Sequence, residues 1–85
     1  MARDKAKRPH GEPLPFALAL GATHVELQSL LKASGACDSG GEAKHAVQDG
    51  RAQVNGEVET RRSRKLVPGD LVTFDGRTWR VMAPP

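Results

Sequence analysis

The sequence predicts an α+β domain in which a pair of helices packs on a small, mostly antiparallel sheet. Apolar residues recur at helical spacing between Thr23 and Gly50, and at alternating, strand-like spacing from Ala52 onward. The second half also contains two dipeptides typical of hairpin turns, Asn55-Gly56 and Asp75-Gly76. Helices followed by strands are the order expected of the α+β class. Because 85 residues provide one core, we expect a single folded domain.

The N-terminal segment, residues 1–13, is polar, charged and interrupted by Pro and Gly. This composition predicts a flexible basic arm, so the domain itself is expected over residues 14–85. Its first element is predicted to be a short strand at Pro15–Leu20. The larger side chains of that strand alternate with alanines and share one side: Phe16, Leu18 and Leu20.

Two short helices are expected next. The first begins after Thr23, which can cap it together with Glu26, and Gly35 is suited to end it. A short link leads to a second helix with the same capping pattern at Ser39 and Glu42. We expect the two to pack as a helix-turn-helix-like pair. Their apolar stripes consist of Leu27, Leu30 and Leu31 in the first helix, and Ala43, Ala46 and Val47 in the second.

The rest of the chain is predicted to form strands. The Asn55-Gly56 and Asp75-Gly76 turns each connect two strands, and Pro68-Gly69-Asp70 turns into the strand between them. Alternation along the last two strands gives them one inner face. The residues expected on that face are Val72, Phe74, Trp79 and Val81.

The distribution of charge indicates a candidate binding surface. The net charge is only +3, yet four of the thirteen Lys and Arg lie in the first eight residues and four more lie between Arg61 and Lys65. Glu57 and Glu59 are not expected to neutralise this second cluster, so its repulsion is relieved only beside a polyanion. Arginine provides a planar fork for phosphate and a face for stacking on unpaired bases. The alternative is a solvated loop that only increases solubility.

The other side chains give little support for an enzyme or a metal site. Cys37 is the single cysteine, which favours a reducing compartment, and it lacks zinc-ligand spacing with any of the three histidines. A Cys37–His45 pair lacks a third, orienting group. A signal peptide cleaved near Ala22 is disfavoured by Pro15 and by the short remainder. We therefore expect a cytoplasmic protein without catalytic activity, metal, cofactor or membrane association.

A series of motifs follows in one order along the chain: the leucine-striped first helix, Gly35, the Ser39-capped helix with Ala43-Lys44, Gly50, Val54-Asn55-Gly56 and Pro68-Gly69-Asp70. In this order of motifs, the chain resembles the S4 RNA-binding domain from about Glu26 to Phe74. One difference is Gly40, where many S4 domains have an arginine. The short length and the Ser-Gly-Gly start of the second helix are most similar to the small standalone S4-like proteins of bacteria.

The resemblance implies the S4-like, or alpha-L, fold and a monomeric module that recognises structured RNA, with ribosomal RNA and other ribosomal components as candidates. It also implies that Lys44 faces RNA. Two other functions are compatible with the same features: a protein-interaction or assembly factor that uses the same basic face, and a standalone relative of an RNA-enzyme accessory domain. The candidate RNA-binding residues are Lys32, Ser39, Lys44, Gln48, Arg51, Arg61, Arg62, Arg64 and Lys65.

Overall fold

The computed structural model describes residues 12–85, so the predicted basic arm lies outside the described residues except for its last two positions. The predicted α+β class is confirmed. The elements in chain order are β1 (Leu14–Ala17), β2 (Val25–Glu26), α1 (Leu27–Ala33), α2 (Gly40–Gln48), β3 (Ala52–Val54), β4 (Glu57–Val58), β5 (Lys65–Leu66), β6 (Leu71–Phe74) and β7 (Arg77–Met82).

The strands form one sheet of five strands and one of two. The larger sheet has the order β1-β7-β6-β3-β4, and the smaller sheet consists of β2 and β5. Strands β1 and β7 are parallel, whereas every other pair in residues 12–85 is antiparallel. The parallel pair is possible because the whole helix pair lies between its strands in the chain, which provides the long connection that parallel strands need.

The two predicted hairpins are confirmed. Asn55 and Gly56 have φ values of 53° and 87°, and Asp75 and Gly76 have values of 52° and 79°. Two successive residues at positive φ are the requirement of a type I′ turn, which favours Asn-Gly and Asp-Gly sequences. The turns connect β3 to β4 and β6 to β7.

The core lies between the helix pair and the inner face of the larger sheet. The predicted stripes are correct, since all six of their side chains are buried. Burying a Leu or Val side chain contributes about 1.5–3 kcal/mol each, so these stripes account for much of the attraction between helices and sheet. The sheet contributes Ala52, Val54, Val72, Phe74, Trp79 and Val81 to the same cluster.

The start of α1 differs from the prediction. Thr23 does not cap the helix; its hydroxyl lies 3.2 Å from Nδ1 of His24. Val25 and Glu26 are extended because they pair with β5, and Glu26 occupies the N-cap position without capping the helix through its side chain. A strand partner from elsewhere in the chain has overridden the local capping signal.

The first strand is also shorter than predicted. Its pairing with β7 ends where Ala17 lies opposite Met82. Leu18 still reaches the core, but Leu20 lies beyond the paired region and is 82% exposed. Alternation within residues 15–20 therefore identified the strand but not its end.

Candidate nucleic-acid interface

The arginine-rich segment, residues 61–65, follows β4 and passes the N-terminus of α1. The backbone N–H of Leu27 donates to the carbonyl of Arg64 at 2.9 Å, and that of Gln28 donates to the carbonyl of Arg62 at 3.0 Å. The first amides of a helix have no partner within the helix, and α1 has no side-chain cap. The segment supplies the missing acceptors, so its backbone is attached to α1.

Glu59 holds two arginine side chains of this segment. It is the buried charged residue of the described chain, with 8% exposure, and its backbone N–H donates to the carbonyl of Ala52 at 3.0 Å. Its Oε2 accepts from Nε and the backbone N–H of Arg61 at 3.0 and 3.1 Å. Its Oε1 accepts from Nη2 of Arg61 at 3.3 Å and Nη1 of Arg64 at 2.6 Å. One carboxylate therefore binds two arginines.

These hydrogen bonds lower the pKa of Glu59 from its ordinary value of 4.5 to about 2. The bond from the Arg61 side chain has the largest effect, and burial of the carboxylate acts in the opposite direction. The same bond raises the pKa of Arg61. Glu59 is ionised at neutral pH, so the expectation that no nearby acid neutralises the cluster was wrong for Arg61 and Arg64. The hairpin register explains the difference, because it places Glu59 beside Ala52 and next to both arginines.

Arg62 and Lys65 differ from the other two cations of the segment. Both are exposed, and neither forms an ion pair within residues 12–85. Lys65 is opposite Glu26 in the β2–β5 pair, where the Glu26 carboxylate accepts a hydrogen bond from the side chain of Gln28 at 2.9 Å. The segment thus presents two cations whose ammonium and guanidinium groups are available to an anion.

Lys32 is another exposed cation among the predicted residues, and it lies on α1. It is exposed in the last turn of the helix, four residues after Gln28. Residues at i and i+4 share a helix flank and are separated by about 6 Å along the axis. Lys32 therefore lies about one turn beyond the point at which the arginine-rich segment contacts α1.

Lys44 and Gln48 lie on the exposed side of α2. They are also four residues apart, so they share a flank, and the buried side of the helix is formed by its alanines and Val47. Because α2 packs beside α1, the two helices present their exposed cations on neighbouring elements. The structure assigns Lys44 and Gln48 no side-chain partner within residues 12–85.

Ser39 has a structural role at the start of α2. Its Oγ accepts from the backbone N–H of Glu42 at 3.1 Å, which confirms the predicted cap. The Glu42 carboxylate accepts from the backbone N–H of Asp38 at 2.9 Å. The Glu42 carboxylate makes the N-terminus of α2 unfavourable for a phosphate, although the positive end of a helix alone would attract one.

Arg51 is directed toward the β6–β7 turn. Its Nη2 lies 3.3 Å and 3.5 Å from the carboxylate oxygens of Asp75, and its guanidinium carbon lies 5.1 Å from the centre of the Phe74 ring. The Asp75 carboxylate compensates its charge. On the other side of that turn, the guanidinium carbon of Arg77 lies 5.2 Å from the centre of the Trp79 ring. The structure therefore does not bring Arg51 together with Arg62 and Lys65 at an unpaired positive surface.

No site for metal or thiol chemistry is evident in the described part of the chain. Residues 12–85 contain no group of three or more Cys, His, Asp or Glu side chains that could hold a metal ion. Burial raises the pKa of the Cys37 thiol, which disfavours the reactive thiolate. Within the same range no helix has the length and apolar content that crossing a bilayer requires.

The sequence and the fold together define the class of protein. The family model of the S4 domain matches residues 18–82, and the chain belongs to the S4 domain family. The family resemblance predicted from the sequence is thereby confirmed. Membership of the S4 domain family indicates an RNA-binding module.

The relatives are small bacterial proteins. YbcJ of Escherichia coli strain K12, which is named as a candidate RNA-binding protein, is 47% identical over 60 residues, or 71% of this chain and 86% of YbcJ. RlbA of Bacillus subtilis strain 168, named as a probable ribosome maturation protein, is 34% identical over 59 residues, or 69% of this chain and 83% of RlbA.

A solved structure confirms the alpha-L fold. The solution structure of YbcJ from E. coli, described as revealing an alpha-L motif involved in RNA binding, has a TM-score of 0.65 with this chain. The two are 42% identical, and the match covers 85% of this chain and 90% of the other.

Proposed function

We propose that this protein is a non-catalytic module that binds structured RNA through a basic surface formed by the arginine-rich segment and the exposed sides of α1 and α2. The observation that carries the proposal is the pair Arg62 and Lys65, which are exposed and without ion pairs on a backbone attached to α1. Phosphates that neutralise such cations release condensed counterions, which contributes affinity. The alpha-L motif of the related YbcJ structure supports the same role.

Recognition by shape and phosphate contact is favoured over stacking on single-stranded bases. Trp79 and Phe74 are buried in the core, and Phe16 of β1 is half-buried against it. Non-specific single-strand binding relies on exposed aromatic platforms, and the described residues provide none. Structured RNA is recognised mainly through its backbone geometry, which a rigid arrangement of cations can match.

The candidate residues divide into two groups. Lys32, Lys44, Arg62 and Lys65 provide the phosphate contacts in this proposal, and Gln48 is a hydrogen-bonding neighbour of Lys44. The other predicted residues already have partners within the protein, so their contribution to RNA contact is secondary: Ser39, Arg51, Arg61 and Arg64.

Ribosomal RNA is the partner that we propose within the class of structured RNA. The support is the name of the relative RlbA, which links that protein to ribosome maturation. We further propose that the protein acts as a monomer in the cytoplasm, with a basic arm at residues 1–13 and one S4-like domain at residues 14–85. Sedimentation with purified ribosomal subunits, before and after nuclease treatment, tests the ribosomal assignment.

The direct test is fluorescence anisotropy of a labelled RNA stem-loop titrated with the purified protein between 50 and 300 mM KCl. If four to six phosphates are neutralised, the log–log slope of the association constant against salt should be about −3 to −5. Replacing Arg62 and Lys65 together with Gln should make the slope less negative by about 2.

The matched control removes the same charge elsewhere. Arg77 and Arg80 are exposed cations of β7, and replacing both with Gln should change the slope far less. Equal effects of the two double variants would show that attraction is diffuse, and a salt-independent affinity would contradict the proposal. A protein-interaction or assembly role would be favoured instead if nuclease left ribosomal association intact.

A further inference from the structure

The four cations of the arginine-rich segment are in two distinct environments. Arg61 and Arg64 share the carboxylate of Glu59, whereas Arg62 and Lys65 alternate with them and are exposed without an ion pair within residues 12–85. We propose that Glu59 is a positioning residue: it uses Arg61 and Arg64 to hold the segment on α1, so that Arg62 and Lys65 are presented to RNA phosphates. This inference rests on the RNA-binding function proposed above.

The hydrogen-bond geometry supports this division of roles. Arg61 donates to Glu59 from both Nε and Nη2, which form one of the guanidinium edges capable of a two-point contact with a carboxylate or phosphate. The same side cannot bind a phosphate while Glu59 occupies it. Arg64 donates from Nη1 at 2.6 Å and is only partly exposed. Both side chains are therefore engaged within the protein.

The backbone connects this ion-pair cluster to the helix. The carbonyls of Arg62 and Arg64 accept from the first amides of α1, and the backbone N–H of Arg61 donates to Glu59. The backbone of the segment is thus held at Arg61 by the Glu59 carboxylate, and at Arg62 and Arg64 by the amides of α1. If this fixation is lost, the fraction of molecules with the segment in its binding conformation falls, and apparent affinity falls in proportion.

The variant Glu59→Gln distinguishes a positioning role of Glu59 from a simple effect of its charge on RNA affinity. The variant removes one negative charge, so attraction to a polyanion alone predicts tighter RNA binding. Positioning predicts the opposite sign: if the binding conformation falls to between a third and a tenth of molecules, affinity for the labelled stem-loop falls about threefold to tenfold. Glu57→Gln is the matched control, because Glu57 is exposed and forms no ion pair within residues 12–85. This control should leave affinity unchanged or slightly higher.

Charge-conserving substitutions provide a second test. Lys keeps the charge of Arg but lacks the planar fork that Glu59 binds at two points. We expect Arg61→Lys to lose most of the affinity that Arg61→Gln loses, while Arg62→Lys retains near wild-type affinity and Arg62→Gln does not. The reverse pattern, with Arg61→Lys retained, would show that Arg61 contacts RNA through its charge and would overturn the division of roles.

Hydrogen exchange without RNA separates failure of this inference from failure of the proposed function. In Glu59→Gln the amides of Leu27 and Gln28 should exchange faster than in Glu57→Gln, whereas amides in the middle of α2 should be unaffected. Faster exchange together with absent RNA binding by the wild type would refute only the RNA function. Unchanged exchange, or tighter RNA binding by Glu59→Gln in a protein that binds RNA, would refute the positioning role of Glu59. Circular dichroism and Trp79 fluorescence confirm that each variant is folded.

Discussion

The buried carboxylate of Glu59 should make stability depend on pH in a defined window. Its pKa is about 2 in the folded protein and 4.5 is its ordinary value, which we take for the unfolded chain. Because the folded-state pKa is the lower one, the stabilisation is fully present above about pH 4.5 and is lost as the pH falls through about 2. A shift of this size corresponds to at most about 3 kcal/mol.

The actual contribution should be smaller than that limit. Glu59 itself is nearly inaccessible, with a side-chain exposure of 10%, but the Arg61 side chain is 71% exposed, so water screens the stronger of its two interactions. We therefore expect Glu59→Gln to lower the free energy of unfolding by about 1–2 kcal/mol at pH 7. For a chain of this length, each kcal/mol corresponds to a decrease of about 4–8 °C in melting temperature.

The assay is urea unfolding at a series of pH values from 7 to 2, followed by fluorescence of Trp79, the single and buried tryptophan. The difference between wild type and Glu59→Gln should be constant down to about pH 5 and should shrink toward zero near pH 2. Glu57→Gln, with the same change in charge at an exposed position, should differ little from the wild type. A difference that is absent at pH 7, or that persists undiminished at pH 2, would refute the ionised Glu59 cluster.

Three further predictions concern other parts of the fold and the surface. Lys44→Glu should weaken binding to the RNA stem-loop more than Arg77→Glu does. Both variants reverse one charge, and screening limits the effect of a distant charge to about 8 Å. Fluorescence anisotropy measures both affinities, and equal losses would contradict an RNA contact at α2. Asn55→Ala should lower the free energy of unfolding by about 1–3 kcal/mol, because Ala is strained at positive φ and two side-chain hydrogen bonds are lost. Asn55→Gly loses the same hydrogen bonds but tolerates positive φ, so it should cost less. Urea unfolding gives both values, and the opposite order would refute the role of Asn55 in the turn. Ser39→Ala should lower the free energy of unfolding by about 1 kcal/mol through loss of the helix cap, whereas Ser29→Ala on the exposed side of α1 should leave it unchanged. Urea unfolding measures both, and an unchanged free energy in Ser39→Ala would show that the cap contributes nothing.

Several elements could be predicted because their signals are local. The stripe of Leu27, Leu30 and Leu31 has the period of a helix, and its burial follows from that period alone. Asn55-Gly56 tolerates positive φ at both positions, which few other dipeptides do. The order of such signals was sufficient to predict the α+β class, both hairpins and the S4 family, which the family model confirms.

The roles of the charged residues could not be predicted in the same way. Charge density identified residues 61–65 as a candidate surface, and the RNA contacts assigned to them stay a prediction. The charge pattern alone does not distinguish the four cations of this segment from one another. The difference between Arg61 and Arg62 depends on where Glu59 points, which is fixed by the β3–β4 register and by burial against Ala52.

The start of α1 combines a feature set by nearby residues with one set by contacts between distant parts of the chain. The sequence determined that a helix forms here, because apolar spacing and leucine content act within a few residues. It did not determine the cap, since the acceptors are carbonyls of Arg62 and Arg64, more than thirty residues further along the chain. Every residue has a backbone carbonyl, so no sequence pattern indicates which carbonyls will accept these hydrogen bonds. Only the β2–β5 pairing brings them to the helix, so this attachment, and with it the orientation of the positive surface, is a property of the folded chain.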